Sequence, residues 1–185
     1  MIHVIDNYFS DPNTIRRQML ELDYTSPTDN CTYFSGTADI TQYVSHELVH
    51  HVQHIKRRPV ESYHGHSRFI TYEQQSGSWV HCDPNCDVAA MVFMTPDPPD
   101  DTGTSFFEHK VRDDLIGRGK DFTEDEFKRE SHDITRWTET VKINNVFNRC
   151  MIFDTSIYHQ ARCNGFGTTK EDSRLFQIVF FKLKD

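Results

Sequence analysis

The chain has 185 residues, a formal net charge of −8 and an apolar share of 36%, with 14 Phe and 7 Tyr to supply bulky core material. That is enough for one domain with its own core, and the excess of acid argues against a nucleic-acid substrate, whose phosphates it would repel. There is no apolar run near the ~18 residues of a membrane span. A basic segment followed by an apolar one, the mark of a secretory signal, is also missing. Five cysteines at irregular spacing suit reduced thiols in the cytoplasm of the producing or host cell rather than a disulfide framework.

From the N-terminus, residues 3–5 predict a short strand, broken by 7–11. Ser10 or Asp11 can cap a helix with Pro12 in its first turn, where a missing N–H does no harm. Ile15, Met19 and Leu20 give that helix a partly apolar face, ending near Leu22. Residues 23–36, rich in Thr, Ser, Pro and Asn, predict a loop. A second helix is expected over 40–57, because Ile40, Tyr43, Val44, Leu48, Val52 and Ile55 recur at three- and four-residue spacing. It carries His46-Glu47-Leu48-Val49-His50, which matches the pattern in which two histidines one turn apart bind zinc and the glutamate acts as base. The extended form of that motif needs Gly at 53 and His at 56, where this chain has Gln53 and Lys56. No other helix offers an obvious glutamate ligand, and His51 and His54 make a chance match easier. The competing reading puts these histidines on the solvated side of a helix that backs a sheet.

Residues 58–65, with Pro59, predict a connection. Residues 67–74 predict a strand, with Phe69, Thr71 and Glu73 on one side and Arg68, Ile70, Tyr72 and Gln74 on the other. Ser76-Gly77 marks a turn or bulge, and 78–82 is strand-like again. The continuous apolar run 88–94 fits a strand buried on both faces. After a Pro- and Asp-rich turn at 96–103, residues 104–109 predict the next strand. Residues 110–142 are dense in charge, and Thr123 with Glu126 forms a capping-box pair. A helical insertion is expected there. Phe122, Arg136 and Trp137 either cover a site or form the packed edge of a solvated helix. Strands follow at 148–153 and 174–184. The Gly-rich loop at 164–169 lacks the Gly-Lys-Ser/Thr ending of a phosphate cradle. Eight or so short strands with glycine and proline turns predict a mainly β fold with flanking α, a double-stranded β-helix or cupin-like jelly roll. The expected organisation is a single domain over 1–185, with 1–65 as N-terminal helical support and 66–185 as a barrel interrupted at 110–142.

The residues that carry chemistry sit at strand ends. His81 and Asp83, two apart in extended chain, point to the same side and can share a metal ion, while Cys82 turns away. His159, at the end of the run 151–158, is the best third ligand. Two histidines and a carboxylate on one face of an ion are the facial triad of non-haem iron sites. Arg174 opens the final strand. Burying it without an anion would be costly, and a bidentate carboxylate would resolve the cost. The bland alternative is an exposed arginine, or one paired with Glu171 or Asp172. Cys82, Cys86 and Cys163 could join His81 and Asp83 in a zinc site instead, although adjacent His81 and Cys82 point apart in a strand.

The ordered set of His81-x-Asp83, His159 and Arg174 resembles the Fe(II)/2-oxoglutarate-dependent dioxygenase superfamily over roughly 69–181. The approach Tyr72, Gly77, Trp79, His81-x-Asp83 resembles its prolyl-hydroxylase-like members. The final strand lacks the Arg-x-Ser or Lys that some relatives use for the cosubstrate. The resemblance implies Fe(II) held by His81, Asp83 and His159, with O2 as a further substrate and ascorbate as an accessory reductant. It implies 2-oxoglutarate chelating the metal through its 2-oxo acid end, gripped at its far carboxylate by Arg174 and assisted by Tyr72. Oxidative decarboxylation to succinate and CO2, coupled to hydroxylation of a C–H bond in a peptide, protein or amino-acid-like small molecule, is the implied reaction. The rival readings are a zinc metallohydrolase built on the 46–50 helix and a non-catalytic cupin-like binding domain.

Overall fold

The computed structural model describes residues 1–26, 34–73, 78–83, 85–111 and 123–185. In chain order the elements are β1 (Ile2–Ile5), α1 (Pro12–Leu20), β2 (Gly36–Asp39), α2 (His46–Lys56), β3 (Val60–Ile70), β4 (Val88–Phe93), β5 (Gly103–His109), α3 (Glu124–His132), β6 (Trp137–Asn144), β7 (Cys150–Asp154), β8 (His159–Ala161) and β9 (Arg174–Leu183). They form a six-stranded sheet, ordered β1-β7-β4-β9-β3-β2, and a three-stranded sheet, ordered β6-β5-β8, with every described pairing antiparallel. The two sheets are those of a jelly roll, as the strand pattern predicts.

Alternation along the strands explains the layers. On the large sheet, Ala89, Met91, Phe93, Met151, Phe153, Phe176, Ile178 and Phe180 face inward and meet Phe106 of the small sheet. The intervening Val88, Ala90, Val92, Ile152, Leu175, Val179 and Phe181 face outward and are covered by Met19 of α1 with Leu48 and Val52 of α2. Both faces of β4 are therefore dry, which accounts for its unbroken apolar run. A third cluster, Val80, Phe107, Trp137 and Tyr158 with Phe127 of α3, closes the outer face of the small sheet.

Of the two caps expected for α1, Asp11 is the one used, its carboxylate accepting from the Thr14 N–H at 3.1 Å. Other elements depart from expectation. Helix α2 starts at His46 and not near residue 40, because Ser45 caps it (Leu48 N–H to Ser45 Oγ, 3.2 Å). Residues Thr41–Tyr43 make a separate 3-10 turn, and the Ile40 N–H is drawn to the Gly65 carbonyl at 2.9 Å. The connection expected at 58–65 is largely the first half of β3. Its exposed residues Glu61, Ser62 and His64 are polar, so it carries no apolar alternation, and Gly65 leaves room for Ile40 and Val44 to press on it. Residues 1–65 thus contribute β1, β2 and half of β3 to the large sheet besides two helices. The helix at 124–132 has the expected capping box, but 137–144 is strand β6, an edge strand whose Thr, Glu and Lys face water. Trp137, 3% exposed, is core beneath α3 and not a cover. Arg136 is ion-paired with Glu130 at 2.7 Å. Phe122, the Ser76-Gly77 turn and most of the charged stretch before α3 lie outside the described residues. Among the described residues no helix is long and apolar enough to cross a membrane.

Candidate metal centre

The segment bearing His81 and Asp83 is extended but not a ladder strand. It joins the small sheet through one bridge, His81 N–H to His159 C=O at 2.9 Å and the reverse at 2.8 Å. Val80 and Cys82 point into the outer cluster, so His81 and Asp83 point inward. The Asp83 N–H donates to the Thr155 carbonyl at 3.0 Å and the Val80 N–H to the Ser131 carbonyl at 3.0 Å, which pins the segment at both ends.

Both imidazoles are fixed in the same way. His81 Nδ1 donates to the Trp79 carbonyl and His159 Nδ1 to the Ile157 carbonyl, each at 2.9 Å. A carbonyl only accepts, so both rings carry their proton on Nδ1 and present a bare Nε2, the form a metal takes. The His159 Nε2 lies 3.4 Å from Asp83 Oδ2. Two lone-pair donors facing each other at that distance call for a cation between them. One ligand atom from each of His81, Asp83 and His159 lies within 4.8 Å of the other two, and this is the one such cluster of His, Cys, Asp and Glu among the described residues. His159, 7% exposed, is packed by Phe153 at 4.9 Å and Phe106 at 6.1 Å between ring centroids. This donor set fits a divalent ion with positions left open.

Burial drives the His81 imidazole down to about 4, and the neighbouring His159 adds to the effect. Burial alone would raise the Asp83 carboxyl, but His159, His81 and Arg68 together outweigh it and hold it below its ordinary value. The His81 shift has a measurable consequence for the metal-free protein. The unfolded imidazole titrates near 6.5, so the unfolded chain takes up a proton that the folded one refuses. Stability is therefore intact above that value and falls as pH drops from about 6.5 through 4, by about 3 kcal/mol. Urea unfolding of metal-free wild type and His81→Gln across that range checks this. The variant is expected to lose that share of the acid sensitivity, and identical slopes would place the imidazole in water.

Arg174 is 2% exposed, at the first position of β9. The Thr95 hydroxyl holds it in place, donating to the Ser173 carbonyl at 2.7 Å and accepting the Leu175 N–H at 3.0 Å. Arg174 Nη2 donates to the Gly103 carbonyl at 3.1 Å, its guanidinium lies 5.0 Å from the Phe176 ring centre, and its Nε has no partner. Among the described residues it has no ion-pair partner; Glu171 and Asp172 are exposed, and Asp172 accepts from Thr168 and Thr169 instead. His159 lies opposite Phe106, and Arg174 touches Gly103, three residues back along β5. At ordinary strand rise that is roughly 10 Å. A buried guanidinium and a metal site thus face one interior at the separation a short dicarboxylate can bridge.

The other expected residues are elsewhere. Tyr72 is 59% exposed, just past the end of β3, and is not gathered into the site. His46, Glu47 and His50 are exposed on α2, which covers the outer face of the large sheet. Burial raises the thiols of Cys82 and Cys86, the latter to about 11, which disfavours thiolate ligation. Arg68 was not singled out from the sequence. It shares the inward face of β3 with Ile70, lies 4.0 Å from the Phe34 ring centre and exerts its charge on Asp83. The alternation that placed Arg68 and Ile70 on one side was the available signal.

No family model matches the sequence, and no curated protein matches it. Solved structures do. A Pseudomonas putida prolyl-4-hydroxylase superposes with a TM-score of 0.55 at 9% identity, covering 100% of this chain and 93% of its own. HygX from Streptomyces hygroscopicus, with nickel, 2-oxoglutarate and hygromycin B bound, gives 0.62 at 12% identity over 98% of this chain and 82% of its own. The non-haem α-ketoglutarate-dependent carbocyclase SnoK gives 0.64 at 14% identity over 98% and 79%. At such identities the likeness is one of fold, and the fold of this chain is that of the solved prolyl 4-hydroxylases and non-haem 2-oxoglutarate-dependent enzymes along nearly its whole length.

Proposed function

We propose that the chain, acting as one domain, is a non-haem Fe(II)- and 2-oxoglutarate-dependent oxygenase. The observation that carries this reading is the convergence of two Nδ1-locked histidines and Asp83 inside a jelly roll whose interior also holds an acid-free, buried Arg174. Iron bound by a facial triad supplies open positions for a 2-oxo acid and O2, and with them oxidative attack on a C–H bond. The protein's residues do the rest. The Trp79 and Ile157 carbonyls keep both Nε2 lone pairs free and aimed. Asp83 supplies the negative charge. Phe106 and Phe153 wall off His159 from water. Arg174 offers its Nε and remaining Nη hydrogens to a carboxylate.

The substrate we assign is a peptide or an amino-acid-like small molecule, a reading supported by the fold shared with a prolyl-4-hydroxylase; the free thiols of Cys82, Cys86, Cys150 and Cys163 suit a cytoplasmic setting, with ascorbate as an accessory reductant. Anaerobic loading with Fe(II) followed by 2-oxoglutarate is the test. A visible metal-to-ligand charge-transfer band is expected, and its absence would overturn the reading. The zinc-hydrolase alternative makes the opposite prediction. His46→Ala and His50→Ala are expected to leave metal content and the band unchanged, because both side chains lie on the solvated face of α2. Loss of metal in either, measured by elemental analysis, would move the site to that helix.

A further inference from the structure

The inward face of the large sheet changes character at β3. Phe180, Ile178 and Phe176 of β9 belong to the inner apolar cluster. Ladder partners point to the same face, and the partners of these three on β3 are His64, His66 and Arg68. One strand further out, the partners of His66 and Arg68 are Asp39 and Thr37 of β2. The His64 ring stacks on Phe180 at 5.2 Å between centroids, which shows the inward direction. A polar shelf thus extends the apolar interior toward the β2 edge. It starts beside the metal centre: Phe153, which packs on His159, lies in one row with Ala89, Phe180 and His64 across β7, β4, β9 and β3. Apolar residues at these positions would extend the core, so the polar ones answer to another demand.

Two groups on the shelf suit an oxyanion. Arg68 and Thr37 are directly opposite each other, which sets their Cβ atoms about 5 Å apart. Thr37 Oγ1 is buried and has no hydrogen-bond partner among the described residues. The Arg68 guanidinium rests 4.0 Å from the Phe34 ring centre, and its charge is felt at Asp83. Asp39, the acid of the shelf, is exposed at its rim, and its carboxylate accepts the Thr41 N–H at 2.7 Å. We propose that this shelf is the primary-substrate site and that the substrate carries a carboxylate, held by the Arg68 guanidinium and the Thr37 hydroxyl. This rests on the oxygenase reading above and narrows its substrate to an acid: a free amino acid, or a peptide with an acidic side chain. A carboxylate has lone pairs for a guanidinium and a hydroxyl together, and its charge strengthens both bonds, which a neutral amide does not do.

The test is succinate release from 2-oxoglutarate by the Fe(II)-loaded protein in air. The probes are the common L-amino acids, their carboxamides, and aspartate and glutamate capped as N-acetyl carboxamides. Release above the substrate-free rate is expected with at least one free amino acid or one capped acid, and these two arms tell an α-carboxylate from a side-chain one. No probe without a carboxylate is expected to do the same. Arg68→Gln is expected to raise the half-saturating concentration of the best probe about 10- to 100-fold, as loss of a hydrogen bond between charged groups does, and Arg68→Lys to recover part of it. Thr37→Val, of the same shape without the hydroxyl, is expected to cost about 3- to 10-fold. Anaerobic titration of the 2-oxoglutarate charge-transfer band on the same variants reports that each is folded and metal-loaded. A loss of 2-oxoglutarate affinity in Arg68→Gln as large as the loss for the probe would make Arg68 a cosubstrate residue and overturn the proposal. Stimulation by the carboxamides as strong as by the acids, or no stimulation by any acid, overturns it too, while the oxygenase reading stands on the band. A wild-type protein that shows no band overturns both.

Discussion

Asp83→Ala is expected to abolish both Fe(II) retention at micromolar metal and the 2-oxoglutarate charge-transfer band, and with them 2-oxoglutarate turnover. Asp83 is the anion among the three converging side chains. Without it, two neutral imidazoles face a divalent ion that they must hold with no charge compensation. Changes merely to groups behind metal ligands cost about 10- to 100-fold in affinity, so removing a ligand should cost more. His81→Ala should have a similar effect on metal, since its Nε2 is locked toward the site by the Trp79 carbonyl. Metal content by elemental analysis, succinate release and thermal unfolding of the metal-free variants make up the measurement. Thermal unfolding of the metal-free variants reports that each is folded, so that a loss of metal or turnover is a property of the site. Turnover retained in both variants would sink the triad.

The His81-x-Asp83 pair was legible because extended backbone alternates whether or not a ladder forms. Here the ladder is a single bridge to His159, and that bridge also sets the three converging side chains side by side. Arg174 was legible because a charged residue opening an apolar strand has few ways to be buried. Strand β4 was legible because both its faces are dry. What failed did so for tertiary reasons. Charge density in 110–142 hid β6, although Thr138, Thr140, Val141 and Ile143 are the β-branched residues of a strand; a register shift opposite Phe106 and Phe107 breaks their alternation. The first half of β3 was hidden because its exposed polar residues and Gly65 make sense only once Ile40 and Val44 are seen to lean on it. Tyr72 continues the alternation of Arg68 and Ile70 in the sequence, but the ladder ends at Ile70 and the chain turns there, so alternation no longer says where its ring goes.

Arg174→Met is expected to separate binding from stability. In the absence of cosubstrate, Arg174 is a buried cation with one hydrogen bond to the Gly103 carbonyl and no carboxylate beside it among the described residues. Such a group lowers the stability of the free fold, and replacing buried ionic groups with apolar ones of similar volume is often neutral or stabilising by about 1–4 kcal/mol. The methionine side chain can lie along Phe176 much as the arginine stem does, so metal-free Arg174→Met should melt no lower than wild type. Its affinity for 2-oxoglutarate should fall by about two to three orders of magnitude, because a desolvated carboxylate would lose its charged, bidentate partner. The affinity for 2-oxopentanoate should rise or hold, since a methyl then meets an apolar wall. Thermal unfolding with and without each 2-oxo acid reads out all three effects in one experiment. A large drop in melting temperature with unchanged 2-oxoglutarate affinity would make Arg174 a structural residue and place the cosubstrate's anchor elsewhere. The expected result, a fold at least as stable and a site that no longer recognises a diacid, would mean that the arginine is kept for binding at the expense of the free protein's stability.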